Sequence, residues 1–407
     1  MPQRTPAPLL HTPRSVTRAQ RRHRGRGNRN AVLAVLALAA LLAGGAFLVQ
    51  DALGPRTGTG GSTSPAAGSE ATATPVPAAT PAEPPAPSLP ATLTVAAVGD
   101  MHFDRRVKEL IGSEGGLAPL KYVTDRLAAA DVAVGNLESP LSNGGTPWPD
   151  KDVRFRGDPR GIEGLVASNF TFLSLANNHI LDYGTEALMD TVTALDLAGI
   201  GYAGAGIDRA AAWKPAAATY GDTTVAFLSF SHILPVGFIA GEDRAGLAPG
   251  RTDMGAVAEA ISAAKAENDY VLVAFHWGVE YVDDANADQV RDARAAIDAG
   301  ADMVLSHHPH VIQGVEFYNG GLIAYSLGDF VFDHYSRKTG EAFILEADLG
   351  PHGIANVRAV PVYLYQIGQP KAVTGPEATG ILERLERISS PHGTSVVIEG
   401  DVAQVLP

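Results

Sequence analysis

The chain predicts an α/β protein whose sheets are covered by helices and whose last third turns antiparallel. Two observations lead there: short apolar runs alternate with stretches of helical periodicity, and several of those runs end on histidine or a carboxylate. Alternation of this kind builds sheets with helices packed on their faces. The strand runs are, in order, residues 92–98, 131–134, 170–175, 225–230, 270–275, 303–306 and 322–326. Helical patterns fall at 185–197, 254–266 and 285–299, and Leu117, Leu120, Val123 and Leu127 also recur at helical spacing. Residues 343–349 and 354–363 read as two-sided strands with fewer helices between them, hence the antiparallel ending. No internal repeat is visible.

Length and composition set the frame. With 407 residues and 45% apolar content the chain can build one large domain or two ordinary ones. It has no cysteine, so disulfides and thiolate metal sites are excluded, and any metal must be held by His, Asp, Glu or Asn. Residues 1–50 carry eight arginines and no acid; removing those eight charges from the net −13 leaves the remainder at −21. So acidic a body repels nucleic acid, and the basic tail is not a DNA-binding arm. Residues 31–49 are uncharged and mostly apolar, about the length that spans hydrocarbon. Arginines before them and Asp51 after them predict a cytoplasmic N-terminus and an exterior body. The apolar run exceeds the ~15 residues of a signal peptide's core, which favours an uncleaved anchor over a cleaved signal. The expected layout is a basic cytoplasmic tail (1–30), a transmembrane signal-anchor (31–50), a disordered Pro/Ala/Thr-rich linker (51–90) and a folded extracytoplasmic domain (91–407) on the cell membrane.

The candidate chemistry sits where strand runs stop. His307-His308-Pro309-His310 closes the run 301–306, and His308 and His310, two apart, point to one side of an extended backbone. Paired imidazoles suit Zn, Mn, Fe or Ni, and three histidines in four residues are costly to bury without a ligand. Asp100 and His102 follow the first run and can share an ion, with Gly99 letting the backbone come close to whatever is bound. Glu138, in Gly135-Asn136-Leu137-Glu138, can place an oxygen between two cations. Asn178 offers a carbonyl ligand, His179 a proton for a substrate oxygen, and Asp182 a carboxylate to orient that imidazole. His276 ends the run 270–275. Taken singly, several have bland readings: a strand-end turn at Asp100, a capping carboxylate at Glu138, a satisfied core histidine at His276. Residues 325–332 shape the pocket floor, with no metal role for Asp329. His232 and His334, in loops after strand-like runs, are candidates to reach substrate; His11, His23, His352 and His392 are read as solvated. Open α/β sheets bind ligands at the carboxyl ends of their strands, so the strand-end residues should converge.

The order Asp-x-His, Gly-Asn-x-Glu, Asn-His, His and His-x-His resembles the calcineurin-like metallophosphoesterase superfamily. The segments GNLESPL, ANNHILDYG, FHWGVEY, HHPHVIQGVE and YSLGDFVFD resemble its CapA branch, the bacterial capsule (poly-γ-glutamate) synthesis proteins, over roughly residues 92–335. That resemblance implies a four-layer α/β/β/α sandwich with a dinuclear site. It implies Asp100, His102 and His310 on one divalent ion, Asn178, His276 and His308 on the other, and Glu138 bridging. Manganese, iron and zinc all fit such ligands. His179 would be the acid or transition-state stabiliser. Two departures stand out: Glu138 stands where Asp is usual, and His307 precedes His-x-His where Gly is common. The implied function is a membrane-anchored capsule-biosynthesis protein with a phosphoesterase-type hydrolase site. The alternative is a non-catalytic scaffold holding polymer or synthase. Expected partners are the membrane, polymer-synthase membrane subunits and an anionic polymer, with no nucleic acid.

Overall fold

The computed structural model describes residues 89–365 and 368–407. The expected tail, anchor and nearly all of the linker lie outside the described residues. Among the described residues no helix is long and apolar enough to cross a membrane.

The strands begin with β1 (Leu93–Met101), β2 (Val132–Leu137), β3 (Phe170–Ser174), β4 (Gly201–Ala203), the two-residue β5 (Ala205–Gly206) and β6 (Ala216–Tyr220). They continue with β7 (Thr223–Ser231), β8 (Gly246–Leu247), β9 (Tyr270–His276), β10 (Met303–His307), β11 (Val315–Tyr318) and β12 (Gly321–Ala324). The last are β13 (Asp329–Val331), β14 (Glu341–Gly350), β15 (Gly353–Tyr365), β16 (Gln369–Ala372), β17 (Ser395–Glu399) and β18 (Val402–Leu406). The helices are α1 (Arg105–Glu114), α2 (Thr124–Ala128), α3 (Ile162–Ala167), α4 (Gly184–Ala198), α5 (Arg209–Trp213), α6 (Met254–Glu267), α7 (Ala287–Asp298), α8 (Arg337–Gly340) and α9 (Gly375–Ser389).

Two sheets carry the fold. The larger runs β17-β18-β15-β14-β1-β2-β3-β4, with β13 also on β1 and β16 on β15. The smaller runs β11-β12-β10-β9-β7-β6. β1 to β4 are parallel, as are β7, β9, β10 and β12, while β14, β15 and β18 add the antiparallel side. Side chains alternate across each strand, so one face of each sheet can meet the other sheet and one can meet helices. Val95, Ala97, Val132 and Val134 pack with Phe227, Leu272, Ala274 and Leu305 between the sheets. Ala96, Val98 and Ala133 turn outward to Val107, Ile111, Leu165 and Leu188 from α1, α3 and α4. Val271, Val273 and Val304 do the same with Val257 and Ile261 of α6 and Ala293 of α7. Each fully buried Val, Leu or Ile contributes about 1.5–3 kcal/mol. The layering is thus helix, sheet, sheet, helix.

The predicted strands and the three predicted helices are present, with ends shifted by a few residues. The stretch Leu117–Leu127 differs from expectation. It forms a 3-10 turn (Ala118–Leu120) and then the short α2, rather than one helix. Pro119 lies in the first turn, where proline is tolerated; the break comes at Val123, whose φ of −124° is not helical, although Leu120, Val123 and Leu127 are still buried. Helix α9 closes one end of the space between the sheets with Ile381, Leu382 and Leu385.

Candidate metal centre

The parallel strands deliver their carboxyl ends to one edge of the sandwich. Asp100 lies near the end of β1, Glu138 just past β2, Asn177 to His179 past β3, His276 at the end of β9, and His307 at the end of β10. All are buried except Asn178, which is partly so. The convergence of His308 and His310 has a different origin from the one expected. β10 stops at His307, and both following histidines have positive φ, 95° and 55°. A left-handed turn, not strand alternation, brings their rings to 5.8 Å. The turn is tied down when His308 N–H donates to Asp100 Oδ2 at 3.0 Å. Gly99 also serves another purpose: a Cβ there would meet the Gly328 carbonyl oxygen at 1.9 Å. The close approach is to backbone, and it lets Asp100 N–H donate to that oxygen at 2.9 Å.

Three sets of ligand atoms gather within 4.8 Å of one another: Glu138, His308 and His310; Asp100, Glu138 and His276; and Asp100, His310 and Asp329. Glu138 Oε1 lies 3.7 Å from His276 Nε2 and 3.9 Å from His310 Nε2. Atoms that ligate one ion at ~2.1 Å sit about this far apart. Asn178 Oδ1 is 2.7 Å from His276 Nε2, so it joins the set. Glu138 Oε1 and His308 Nδ1 are buried and have no hydrogen-bond partner. Burial pushes the Glu138 carboxyl well up, with Asp100 adding to it. Burial also lowers His276 and takes His308 down to about 3. His310 is the exception: burial opposes its charge, but Asp329, Glu138 and Asp100 outweigh that and hold it up to about 10. Three buried carboxylates beside the neutral imidazoles of His276 and His308 fit a divalent cation, which would take over the charge balance that the His310 proton now supplies.

The family model described as "Bacterial capsule synthesis protein PGA_cap" matches residues 94–334. The chain belongs to that family. It is 32% identical over 280 residues to the PGA biosynthesis protein CapA of Bacillus subtilis (strain 168), covering 67% of this chain and 72% of that one. It is 33% identical over 287 residues to the capsule biosynthesis protein CapA of Bacillus anthracis, covering 69% and 70%. A probable polyglutamine synthesis accessory protein of Mycobacterium tuberculosis (strain CDC 1551 / Oshkosh) is 31% identical over 297 residues, covering 69% and 78%.

Other residues of the family segment fall into three places. His179 stands beside the cluster with its Nδ1 2.6 Å from Asp182 Oδ2, and Phe155 N–H donates to the same oxygen at 2.7 Å. Asp182 is thus within hydrogen-bond reach of His179 Nδ1, and Lys151 Nζ stands 3.1 Å from the same nitrogen. His102 is set apart from the three ligand sets. Its ring stacks on Phe155 at 4.6 Å and meets Phe332 edge-on at 4.3 Å, while the backbone amides of Asp104 and Asp333 approach its two nitrogens. His232 lies on the opposite face of β9 from His276, against Phe275 and Trp277, with Asp292 4.0 Å from its Nε2. His334 faces Tyr363 with its Nδ1 near the Ser336 carbonyl. Neither is brought to the cluster.

Several site residues escaped the sequence reading. Asp329, given no metal role, holds His310 Nδ1 at 2.8 Å, and burial pushes its carboxyl up to about 7. Asn136 donates to Asp100 Oδ1 at 2.8 Å and to Glu138 Oε2 at 3.3 Å. Asn177 in turn donates to Asn136 Oδ1 at 3.0 Å. Lys151, from the loop before α3, donates to the Asn178 carbonyl and to Asp182 Oδ1. Asn136 and Asn177 were visible inside the motifs; Lys151, 27 residues from Asn178, carried no sequence signal.

Proposed function

We propose that this chain is an exported, membrane-anchored capsule-polymer protein whose strand-end cluster holds two divalent ions and hydrolyses a phosphoester. One observation carries the metal reading: Glu138 Oε1 and His308 Nδ1 are buried beside other donors with no partner of their own. Glu138 belongs to two of the ligand sets, the position a bridging carboxylate needs. Asp100, His308, His310, His276 and Asn178 would complete the two ions' shells, with Asp329 orienting His310. Such ions supply Lewis-acid polarisation of a phosphoryl group and lower the pKa of water at the site. His179, with its Nδ1 proton on Asp182, presents Nε2 as a proton acceptor in its neutral form. It can donate to a leaving oxygen only after taking a second proton, and burial, which takes it down to about 4, opposes that. Asn136 fixes the Asp100 and Glu138 carboxylates by hydrogen bonds from its amide, and Asn177 holds Asn136 in place.

The capsule role rests on family membership and on the names of the relatives. The location rests on residues 31–49, read as a membrane anchor; an anchor there would bring the domain within reach of polymer-synthase membrane subunits and an anionic polymer. The test is metal content of the full chain, together with hydrolysis of bis(p-nitrophenyl) phosphate, in wild type and His308→Ala. About two ions per chain and hydrolysis lost in His308→Ala are expected. A folded metal-free protein, or full activity in that variant, sinks the enzyme reading and leaves the scaffold.

A further inference from the structure

Arg105 has surroundings unlike those of most cations in this molecule. It opens α1 with a φ of 52°, a backbone conformation that residues with a Cβ seldom adopt and that persists only where neighbours enforce it. Its guanidinium lies over the Phe155 ring at 4.5 Å. That ring touches His179 at 4.3 Å and His102 at 4.6 Å, so one aromatic side chain separates Arg105 from His179, which stands beside the cluster. Its hydrogen-bond partner is the neutral Tyr335 hydroxyl, 3.1 Å from Nη1, on a side chain that is 76% exposed. Among the described residues no carboxylate lies within ion-pair reach of it; Asp333 feels its charge only at a distance.

The same neighbourhood holds other guanidiniums without acid partners among the described residues. Arg156 sits over Tyr183 at 4.5 Å, and Arg154 Nε donates to the Trp148 carbonyl at 2.8 Å. Elsewhere the chain pairs its cations closely, as with Arg384 on Asp283 and Glu341, or Arg291 on Asp288 and Asp292. In a body that sums to −21, positive charge left unneutralised beside a metal-ligand cluster is a place for an external anion. A guanidinium preorganised on an aromatic face suits a planar or tetrahedral oxyanion, which it can grip with two parallel hydrogen bonds.

We propose that Arg105 is the anion-receiving residue of this site, taking an acidic group of the substrate, carboxylate or phosphate, into the position above Phe155. This rests on the cluster's being the substrate site. The proposed hydrolysis is not required, because the experiment reads binding. Calorimetric titration of the metal-loaded full chain with inorganic phosphate in one arm and a γ-linked glutamate oligomer in the other compares wild type, Arg105→Met and Arg106→Met. Methionine keeps the apolar stem over Phe155 and removes only the charged fork; Arg106 is an exposed neighbour. Arg105→Met should weaken the bound anion at least tenfold with metal content unchanged, while Arg106→Met stays within twofold of wild type. The arm that loses affinity names the acidic group. Equal affinity in wild type and Arg105→Met, or no binding of either probe by wild type, overturns the proposal. A loss of equal size in Arg106→Met also overturns it, since that is general charge rather than a seat. Hydrolysis absent with the Arg105 effect intact would remove the enzyme reading and leave this one standing.

Discussion

Two buried polar clusters flank the same pair of strands, and they end in opposite states. On the far side of β10, Glu316 accepts from Arg294 Nε and Nη2 at 3.0 and 2.5 Å and from the Tyr325 hydroxyl. Gln289 donates to Gln313 at 2.9 Å, and Trp277 Nε1 donates to the Tyr325 carbonyl at 3.0 Å. Every strong donor there has met an acceptor, and the result is a fastening. At the strand ends, built from similar residue types, Glu138 Oε1 and His308 Nδ1 meet nothing. A buried polar atom without a partner costs about 1–3 kcal/mol, so its retention marks a place kept for something else. Saturation, not residue type, separates these two clusters, although single unpartnered atoms such as His232 Nε2 also occur outside the strand-end site.

The strongest way to break that comparison is to remove the shared carboxylate. Glu138→Ala should cut bound metal to one ion per chain or fewer and lower phosphodiester hydrolysis about 10³-fold, a barrier change of about 4 kcal/mol. Elemental analysis and steady-state rates read both. Two ions per chain retained in the variant would return Glu138 to the bland reading of a loop carboxylate. Next comes Asp329→Asn, which leaves the ligands in place but loosens the hold on His310. Partners of this kind typically cost 10–100-fold in metal affinity, measurable by competition with a chelator. An unchanged affinity would make Asp329 a fold residue.

Glu316→Ala is the converse. It leaves Arg294 and Tyr325 without their acceptor and should cost about 2 kcal/mol of stability in urea unfolding. Arg294 is 40% exposed and can rehydrate, which keeps the cost below that of a fully buried pair. Metal content should not move. If it falls as stability falls, the two clusters form one unit and the contrast between them fails.

How much of this was legible in the sequence follows the same division. Asp100, Glu138, Asn178, His276, His308 and His310 could be read because each stands beside an apolar run that had to become a buried strand. The order of the runs then fixed the edge they share. Asp329 could not be read, because its role comes from the parallel pairing of β13 with β1, which sets Asp329 opposite Asp100. No local pattern encodes that register. His102 sits in a readable motif, yet its surroundings come from Phe155 and Phe332, which belong to distant segments. For the His308 turn, convergence was foreseeable but not its cause, since two positive-φ histidines within three residues contradict ordinary backbone preference. Lys151 lies in a loop rich in Pro, Gly and Asp, where periodicity has nothing to say.

His232 gives the smallest effect on the site and the sharpest check on where the boundary runs. It looked like a substrate ligand from its place after β7, yet its ring is buried among Phe275, Trp277 and the α7 carboxylate Asp292. His232→Phe should therefore leave metal content and hydrolysis within twofold of wild type. Its signature is in acid stability instead. Burial lowers His232 to about 4 in the folded state against Asp292's opposing pull, while the unfolded chain keeps the ordinary value near 6.5. Between those two pH values the unfolded state binds the extra proton, so the stabilising effect of a neutral His232 is full above about 6.5 and is lost as pH falls towards about 4. One such group contributes a slope of up to about 1.4 kcal/mol per pH unit in that window. His232→Phe should flatten the unfolding free energy against pH there by about that amount, and nowhere else. A variant that instead loses hydrolysis tenfold while keeping the wild-type acid slope would move His232 back across β9 into the site.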